Sequence, residues 1–210
     1  RDFPHWRTHR QWNPFHEYAG WLKRGALRPL RRNAAWKRLK QVEASPGPVF
    51  VLPLQLEGDY QLRHHSPFAS LADAIALVVD SFAAFAPPDA LLAVKGHPLD
   101  NGLTHWGRFA ERRAAERGVA QRIAWLPELH FTPVLAPAAG VVTVNSTAGM
   151  QALREGKPVV VLGRALYDLP GLTFQDGLDR FWTERTPPDM ALVDALRRVL
   201  AAHCLVRGGF

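Results

Sequence analysis

The sequence predicts an α/β protein: a Rossmann-like parallel sheet with flanking helices. Three observations lead there. Short apolar runs alternate with helical stretches of about 10–15 residues, the rhythm of βαβ units. Runs such as Val49-Phe50-Val51-Leu52 and Val141-Val142-Thr143-Val144 are nearly continuous in apolar residues, as in a sheet covered on both faces. Several runs empty into short polar motifs, and ligands of open α/β sheets bind outside the carboxyl ends of the strands.

Residues 1–45 read as a basic, aromatic helical segment and linker. Pro4, Pro14, Gly20, Gly25 and Pro29 cut it into short pieces, so two helices are expected, over 14–23 and 29–43. On the second, Leu30, Ala34, Leu39 and Val42 share roughly one face. Ala44-Ser45-Pro46-Gly47-Pro48 is a hinge, and residues 46–210 form the Rossmann-like domain. Its strands are expected over 49–54, 90–95, 122–126, 140–144 and 159–162. A loop passes through His64-His65-Ser66-Pro67. A helix over 70–85 follows, with Ser70 as N-cap and Asp73 approximating a capping box, and Pro87-Pro88 ends it. Further helices are expected over 104–117, stopped by Gly118, and over 130–136, interrupted by Pro133. Two more follow, over 147–155 and 189–204. Tyr167-Asp168 and Gly171-Leu172-Thr173 lie in an irregular stretch.

The charge is uneven. The chain is net +7, yet residues 1–40 hold 11 Lys or Arg against Asp2 and Glu17, a net +9, and the remainder is net −2. Trp6, Trp12, Trp21 and Trp36 sit in the same segment. Such an arm fits an anionic membrane surface or packing against a further domain. Nucleic acid is not expected, because no recognised fold signature accompanies the basic residues. No apolar window is long enough for a transmembrane helix, and no signal-peptide h-region is read near the start of the sequence. Cys204 is the single cysteine, so an intramolecular disulfide and a multi-cysteine zinc site are excluded; its apolar helical setting predicts a small buried hydrophobe. The chain begins at Arg1 and its first 45 residues do not read as the start of a domain, which suggests a piece of a longer protein.

The motifs at the strand ends suit an anionic, nucleotide-linked substrate. In Lys95-Gly96-His97-Pro98, Gly96 permits close backbone approach, Pro98 stiffens the exit, and Lys95 and His97 offer charge-assisted hydrogen bonds to phosphate. Asn145-Ser146-Thr147-Ala148-Gly149 opens a helix whose free N–H groups favour an anion; capping needs only one of its three polar residues. Gln55-Leu56-Glu57-Gly58-Asp59 follows the first strand, and Asp59 is a candidate base, nucleophile or binder of sugar hydroxyls. Glu155-Gly156-Lys157-Pro158 closes the helix after the Asn-Ser-Thr turn, with Glu155 a candidate ribose contact. Leu126-Pro127-Glu128-Leu129 is another strand-end loop whose backbone can meet a base edge. His64 and His65 lack the surrounding ligands of a metal site, so no metal and no cofactor are expected. The glycine-rich dinucleotide fingerprint, the P-loop and the Gly-x-Ser-x-Gly elbow are all absent, against a nicotinamide oxidoreductase, a P-loop NTPase and an α/β hydrolase.

Taken in order, these motifs resemble the capsule polysaccharide biosynthesis family of the KpsS/LipB type. The matching text is Leu54-Gln55 with Asp59 and Gln61, Lys95-Gly96-His97-Pro98-Leu99-Asp100, Val142-Thr143-Val144-Asn145-Ser146-Thr147 and Gly156-Lys157-Pro158-Val159. Leu162-Gly163, Tyr167-Asp168, Gly171-Leu172-Thr173 and Phe181-Trp182 continue it, and His9-Arg10-Gln11-Trp12-Asn13 is similar too. The resemblance implies a GT-B glycosyltransferase that moves Kdo, an acidic eight-carbon sugar, from CMP-Kdo to a phosphatidylglycerol-type lipid. Such an enzyme is cytoplasmic and peripheral, at the inner face of the bacterial inner membrane. It also implies that residues 46–210 are the C-terminal, CMP-Kdo-binding half of the GT-B pair, with an N-terminal GT-B domain missing. By that analogy His97 contacts the CMP phosphate, Ser146 and Thr147 bind phosphate at the helix start, and Glu128 or Glu155 holds ribose. A β-linked product from a β-donor implies retention. Gln55, Lys95, Gly96, Pro98 and Asn145 complete the expected binding set, and Asp59 and His97 are the expected catalytic pair. Two rival readings stay open: a non-catalytic export or assembly factor that binds the glycolipid, and a nucleotide-sugar epimerase.

Overall fold

The computed structural model describes residues 13–204. Five parallel strands form one sheet in the order β3-β2-β1-β4-β5. They are β1 (Val49–Pro53), β2 (Leu91–Lys95), β3 (Ile123–Leu126), β4 (Ala138–Thr143) and β5 (Val159–Val161). The α/β class and the parallel sheet are as the apolar runs predict. From β1 the chain steps outward through β2 to β3, then returns to the other side of β1 for β4 and β5. The order therefore reverses beside β1, which puts the crevice expected of such sheets at the ends of β1 and β4.

Helices cover both faces, which is why the strands carry little polar content. On one face α3 (Leu71–Phe85), α4 (Trp106–Glu116) and α7 (Leu178–Glu184) pack on Phe50, Leu52, Leu92 and Val94. On the other, α1 (Pro14–Glu43), α5 (Phe131–Leu135), α6 (Thr147–Arg154) and α8 (Met190–His203) cover Val51, Ala93, Ala124 and Val141. Alternate strand residues thus feed two separate core layers, the period of two that a strand imposes. Ser70 caps α3 by accepting from Asp73 N, as its sequence suggests.

The structure corrects several expectations. The segment after Asn13 is one helix of 30 residues, not two, and Pro29 lies inside it. Anchors on both sides of the proline hold it in line: Arg24 is tied to Glu128, and Ala35, Leu39 and Val42 enter the core. The buried face is Ala35-Leu39-Val42; Leu30 and Ala34 are exposed. Two short helices arise where a loop and an irregular stretch are expected, α2 (Tyr60–His64), capped by Asp59, and α7. Phe181 and Trp182 of α7 are fully buried, and Trp182 Nε1 donates to Ser81 Oγ at 2.8 Å. Cys204 is exposed rather than buried, because α8 buries only Val193 and its last turns run free of the core. Trp6, Trp12 and the matching stretch over 9–12 lie outside the described residues. Among those described, no helix is long and apolar enough to cross a membrane, and no group of three His, Cys, Asp or Glu is placed to hold a metal ion.

Candidate functional site

The carboxyl ends of β1 and β4 are joined by amides. Gln55 Nε2 donates to Asn145 Oδ1 at 2.8 Å, and Asn145 N donates back to Gln55 Oε1 at 3.3 Å. Asn145 Nδ2 donates to the carbonyls of Gln61 at 2.8 Å and His65 at 3.1 Å. Both side chains are buried and their polar atoms are satisfied, so the reversal point is closed by a neutral, cooperative network. Asp59 is attached to its rim. Oδ1 accepts from Gln61 N at 2.9 Å, capping α2, while Oδ2 has only a long 3.5 Å contact from Gln55 Nε2.

The start of α6 adjoins that network. Ser146 is the N-cap and accepts from Ala148 N at 3.2 Å; Thr147 stands exposed at the first helical position. Tyr167 fixes this turn by donating its hydroxyl to Ser146 O at 2.5 Å. Burial, chiefly, holds the Tyr167 pKa above the ordinary phenol value, so it remains a donor. A Cβ at Gly149 would fall 2.3 Å from the Tyr167 hydroxyl, so only glycine lets the two pack.

The opposite side of β1 is charged. Lys95 ends β2 and is only 4% exposed, with Nζ donating to Gly96 O at 2.5 Å. Burial lowers its pKa from 10.5 to about 8, with Glu128 opposing and Arg24 adding to the shift. His97 accepts from Leu99 N at Nδ1, 3.1 Å, which fixes the neutral tautomer with its proton on Nε2. Burial first, and Lys95 next, lower the His97 pKa; Asp100 and Asp59 pull it upward. His97 is thus a neutral Nε2–H donor at pH 7, within electrostatic range of Asp59. Beneath it, Arg24 of α1 grips Glu128 through Nε–Oε1 at 2.9 Å and Nη2–Oε2 at 3.0 Å, and Nη1 donates to Asp100 O. Glu128 holds a left-handed backbone, φ 62°, to present its carboxylate there. The Glu128 carboxylate is therefore committed to Arg24.

A cavity of about 640 Å³ adjoins this charged side, between α1, the loop after β2 and the start of α4. Gly96, His97 and Glu128 form part of its wall. Trp125 is clamped there by two glycines: a Cβ at Gly96 would sit 2.9 Å, and one at Gly107 2.7 Å, from its ring.

A family model described as "Capsule polysaccharide biosynthesis protein" matches residues 1–210. The chain belongs to that family. The resemblance drawn from the ordered motifs is therefore correct. The chain is 35% identical over 200 residues to "Capsule polysaccharide export protein KpsS" of Escherichia coli, covering 95% of this chain and 51% of that protein. It is 35% identical over 216 residues to "Capsule polysaccharide modification protein LipB" of Neisseria meningitidis serogroup B, covering 100% and 51%. The chain thus spans about half the length of these curated relatives. Among solved structures, KpsC of Thermosulfurimonas dismutans, a beta Kdo 2,7 transferase, aligns with a TM-score of 0.47 at 17% identity, over 83% of this chain and 66% of that one.

Within this family member the expected residues fall into three groups. Gln55, Asp59 and Asn145 meet at the reversal point, with Ser146 and Thr147 beside them. Lys95, Gly96, His97 and Glu128 meet over β2 and β3, with Pro98 exposed on the outer loop. Glu155 is apart: it is the exposed C-cap of α6, about 13 Å along the helix from Ser146, next to the turn that enters β5. Gln55 and Asn145 spend their amides on each other and on backbone. Arg24 was not among the expected site residues, because it sits in the arm expected to meet a membrane or another domain, and Tyr167 had no expected structural role. The signal for Arg24 is faint: one basic residue per turn facing the helix side that buries Gly20 and Ala35.

Proposed function

We propose that this chain is the donor-binding part of a glycosyltransferase that transfers Kdo from CMP-Kdo to a phosphatidylglycerol-type lipid at the inner face of the bacterial inner membrane. The observation that carries the reading is His97: Nδ1 is committed to Leu99 N, so a fixed Nε2–H donor stands over the buried Lys95 cation at the end of β2. Ser146 and Thr147 at the start of α6, on the other side of β1, suit the same phosphate. Membership of the capsule family supports a saccharide substrate.

In the overall step the anomeric carbon exchanges its bond to the CMP phosphate oxygen for one to an acceptor oxygen. CMP leaves with the bonding pair, and the acceptor hydroxyl proton is released. Charge grows on the phosphate as that bond breaks, so donors fixed beforehand favour the transition state. Asp59 is the proposed carboxylate at the sugar, as base or nucleophile, through Oδ2, the oxygen its capping role leaves freer.

Calorimetry of CMP with the full-length protein tests the reading. Loss of a charge-assisted bond in His97→Ala should cost roughly 1.5–3 kcal/mol, a ten- to hundred-fold loss of affinity. Asp59→Asn should abolish Kdo transfer with CMP binding nearly intact. Unchanged CMP affinity in the His97 variant removes that residue from the site, and normal turnover by the Asp59 variant removes Asp59 from catalysis.

A further inference from the structure

The cavity between α1 and α4 has a wall that the donor reading does not use. Arg31 reaches it from α1 and Arg108 from α4. Among the described residues neither guanidinium has a hydrogen bond or an ion pair, whereas Arg24 donates to Glu128 and to Asp100 O, and Arg38 donates to Ile123 O. Arg31 is half-buried and Arg108 exposed, and both turn an unpaired positive charge to the same cavity, which favours an anion there. Guanidinium forks match a phosphate or carboxylate in geometry as well as charge.

The remaining wall suits hydroxyl groups. Glu111 also lines the cavity and has no partner among the described residues. Asp100 accepts from Gly102 N through one oxygen and keeps acceptor capacity in the other. Trp125, clamped by Gly96 and Gly107, and Trp106 add rigid aromatic surface of the kind that meets the C–H face of a polyol. Among the described residues the lining contains no Leu, Ile, Val, Phe or Met; its apolar part is Trp, Ala and Pro. The volume falls within the range of small-molecule sites.

We propose that this cavity binds an anionic polyol, one phosphate or carboxylate group with neighbouring hydroxyls, and that it seats the head of the acceptor. The assignment to the acceptor rests on the transferase reading; the ligand chemistry does not. His97 forms part of the cavity wall and is also the proposed phosphate donor, so an acceptor held here stands beside the donor.

The test is calorimetry on the full-length protein with three probes: glycerol 3-phosphate, free Kdo and CMP. Glycerol 3-phosphate or Kdo should bind, and Arg31→Gln with Arg108→Gln should weaken that binding at least ten-fold while CMP affinity changes less than two-fold. Binding of the glycerol phosphate alone identifies a headgroup site, and binding of Kdo alone a sugar-acid site; both support the proposal. Arg31→Lys with Arg108→Lys keeps the charge and should retain part of the affinity, separating a charge effect from misfolding. No binding of either polyol to the parent, or unchanged binding in the double Gln variant, overturns the proposal. An equal loss of CMP affinity also overturns it, because the cavity then belongs to the nucleotide. If the polyols bind as expected and CMP binds nowhere, the donor reading falls and the anionic-polyol site stands.

Discussion

On the β4 side of β1 the strand ends are held by amides, and on the β2–β3 side by charges. Gln55 and Asn145 lie 90 residues apart in sequence and satisfy each other in a neutral network. Arg24 and Glu128, 104 residues apart, form a buried ion pair with the Lys95 cation close by. A neutral network is cheap to bury once complete, so it suits a fixed junction. Buried charge carries a desolvation cost that a hydrophobic replacement would avoid, so its presence at one rim of the crevice points to electrostatic work there. The two flanks differ in what they do: one sets the geometry of the reversal point, the other sets the potential that an anionic ligand meets.

The contrast breaks most sharply at Glu128. Glu128→Gln strands the Arg24 guanidinium beside Lys95, and removal of one partner of a buried pair should cost about 3–5 kcal/mol in urea unfolding. Replacing both partners, Arg24→Met with Glu128→Met, should recover most of that loss. A Glu128→Gln protein as stable as its parent would show that the pair does not hold α1 on the sheet.

The neutral flank should respond less. Asn145→Ala leaves the Gln55 amide and the Gln61 and His65 carbonyls without their partner, a loss of about 2–3 kcal/mol. Hydrogen exchange should then quicken over 55–65 and leave β3 unaffected. Equal quickening at both strand ends would mean the flanks act as one unit.

Lys95→Met should move stability the other way. The folded pKa of about 8 lies below the ordinary 10.5, so below pH 8 both states are protonated and the folded state bears the full cost of the buried cation. Between pH 8 and 10.5 the unfolded chain binds more protons, and stability climbs as pH rises. Removing the cation should therefore raise stability at pH 7 by roughly 1–3 kcal/mol and flatten that climb, while weakening CMP binding. A denaturant midpoint series from pH 7 to 10 reads both effects. A parent protein with no climb in that window would show that Lys95 is not strained.

The smallest effect on stability is expected along the first half of α1. Phe15 is 83% and Leu22 77% exposed, with Tyr18 exposed between them. Phe15→Ser with Leu22→Ser should change unfolding free energy by less than about 0.5 kcal/mol. If this half of α1 meets an anionic membrane, the same variant should sediment less with phosphatidylglycerol vesicles, where each nearby basic residue contributes about 1 kcal/mol. Equal sedimentation of variant and parent would exclude the stripe as the membrane contact.

Much of this molecule was legible in the chain. The five strands follow from continuous apolar runs, and the boundaries at Ser70, Gly118 and Gly156 from capping and stop residues, because these are local backbone effects. The ordered strand-end motifs carried the family as well. Local rules failed where distant anchors overrule them. Pro29 and Gly25 predict a break, yet α1 runs through, since Arg24 and Ala35 are fastened on either side. Asp59 reads as a loop carboxylate but caps a helix of five residues, too short to show a periodic face.

The sequence by itself determined which residues could carry charge or cap a helix, because side-chain chemistry and backbone preference are properties of single positions and near neighbours. Only the tertiary structure decided how each was used. Glu128 became the partner of Arg24, Asn145 a bridge between strand ends, Tyr167 the clasp on Ser146, and Glu155 an exposed cap remote from the crevice. Those roles depend on pairings across tens of residues, and burial then sets what each pairing is worth: in a dry strand end the same carboxylate or ammonium that water would solvate must find one specific partner.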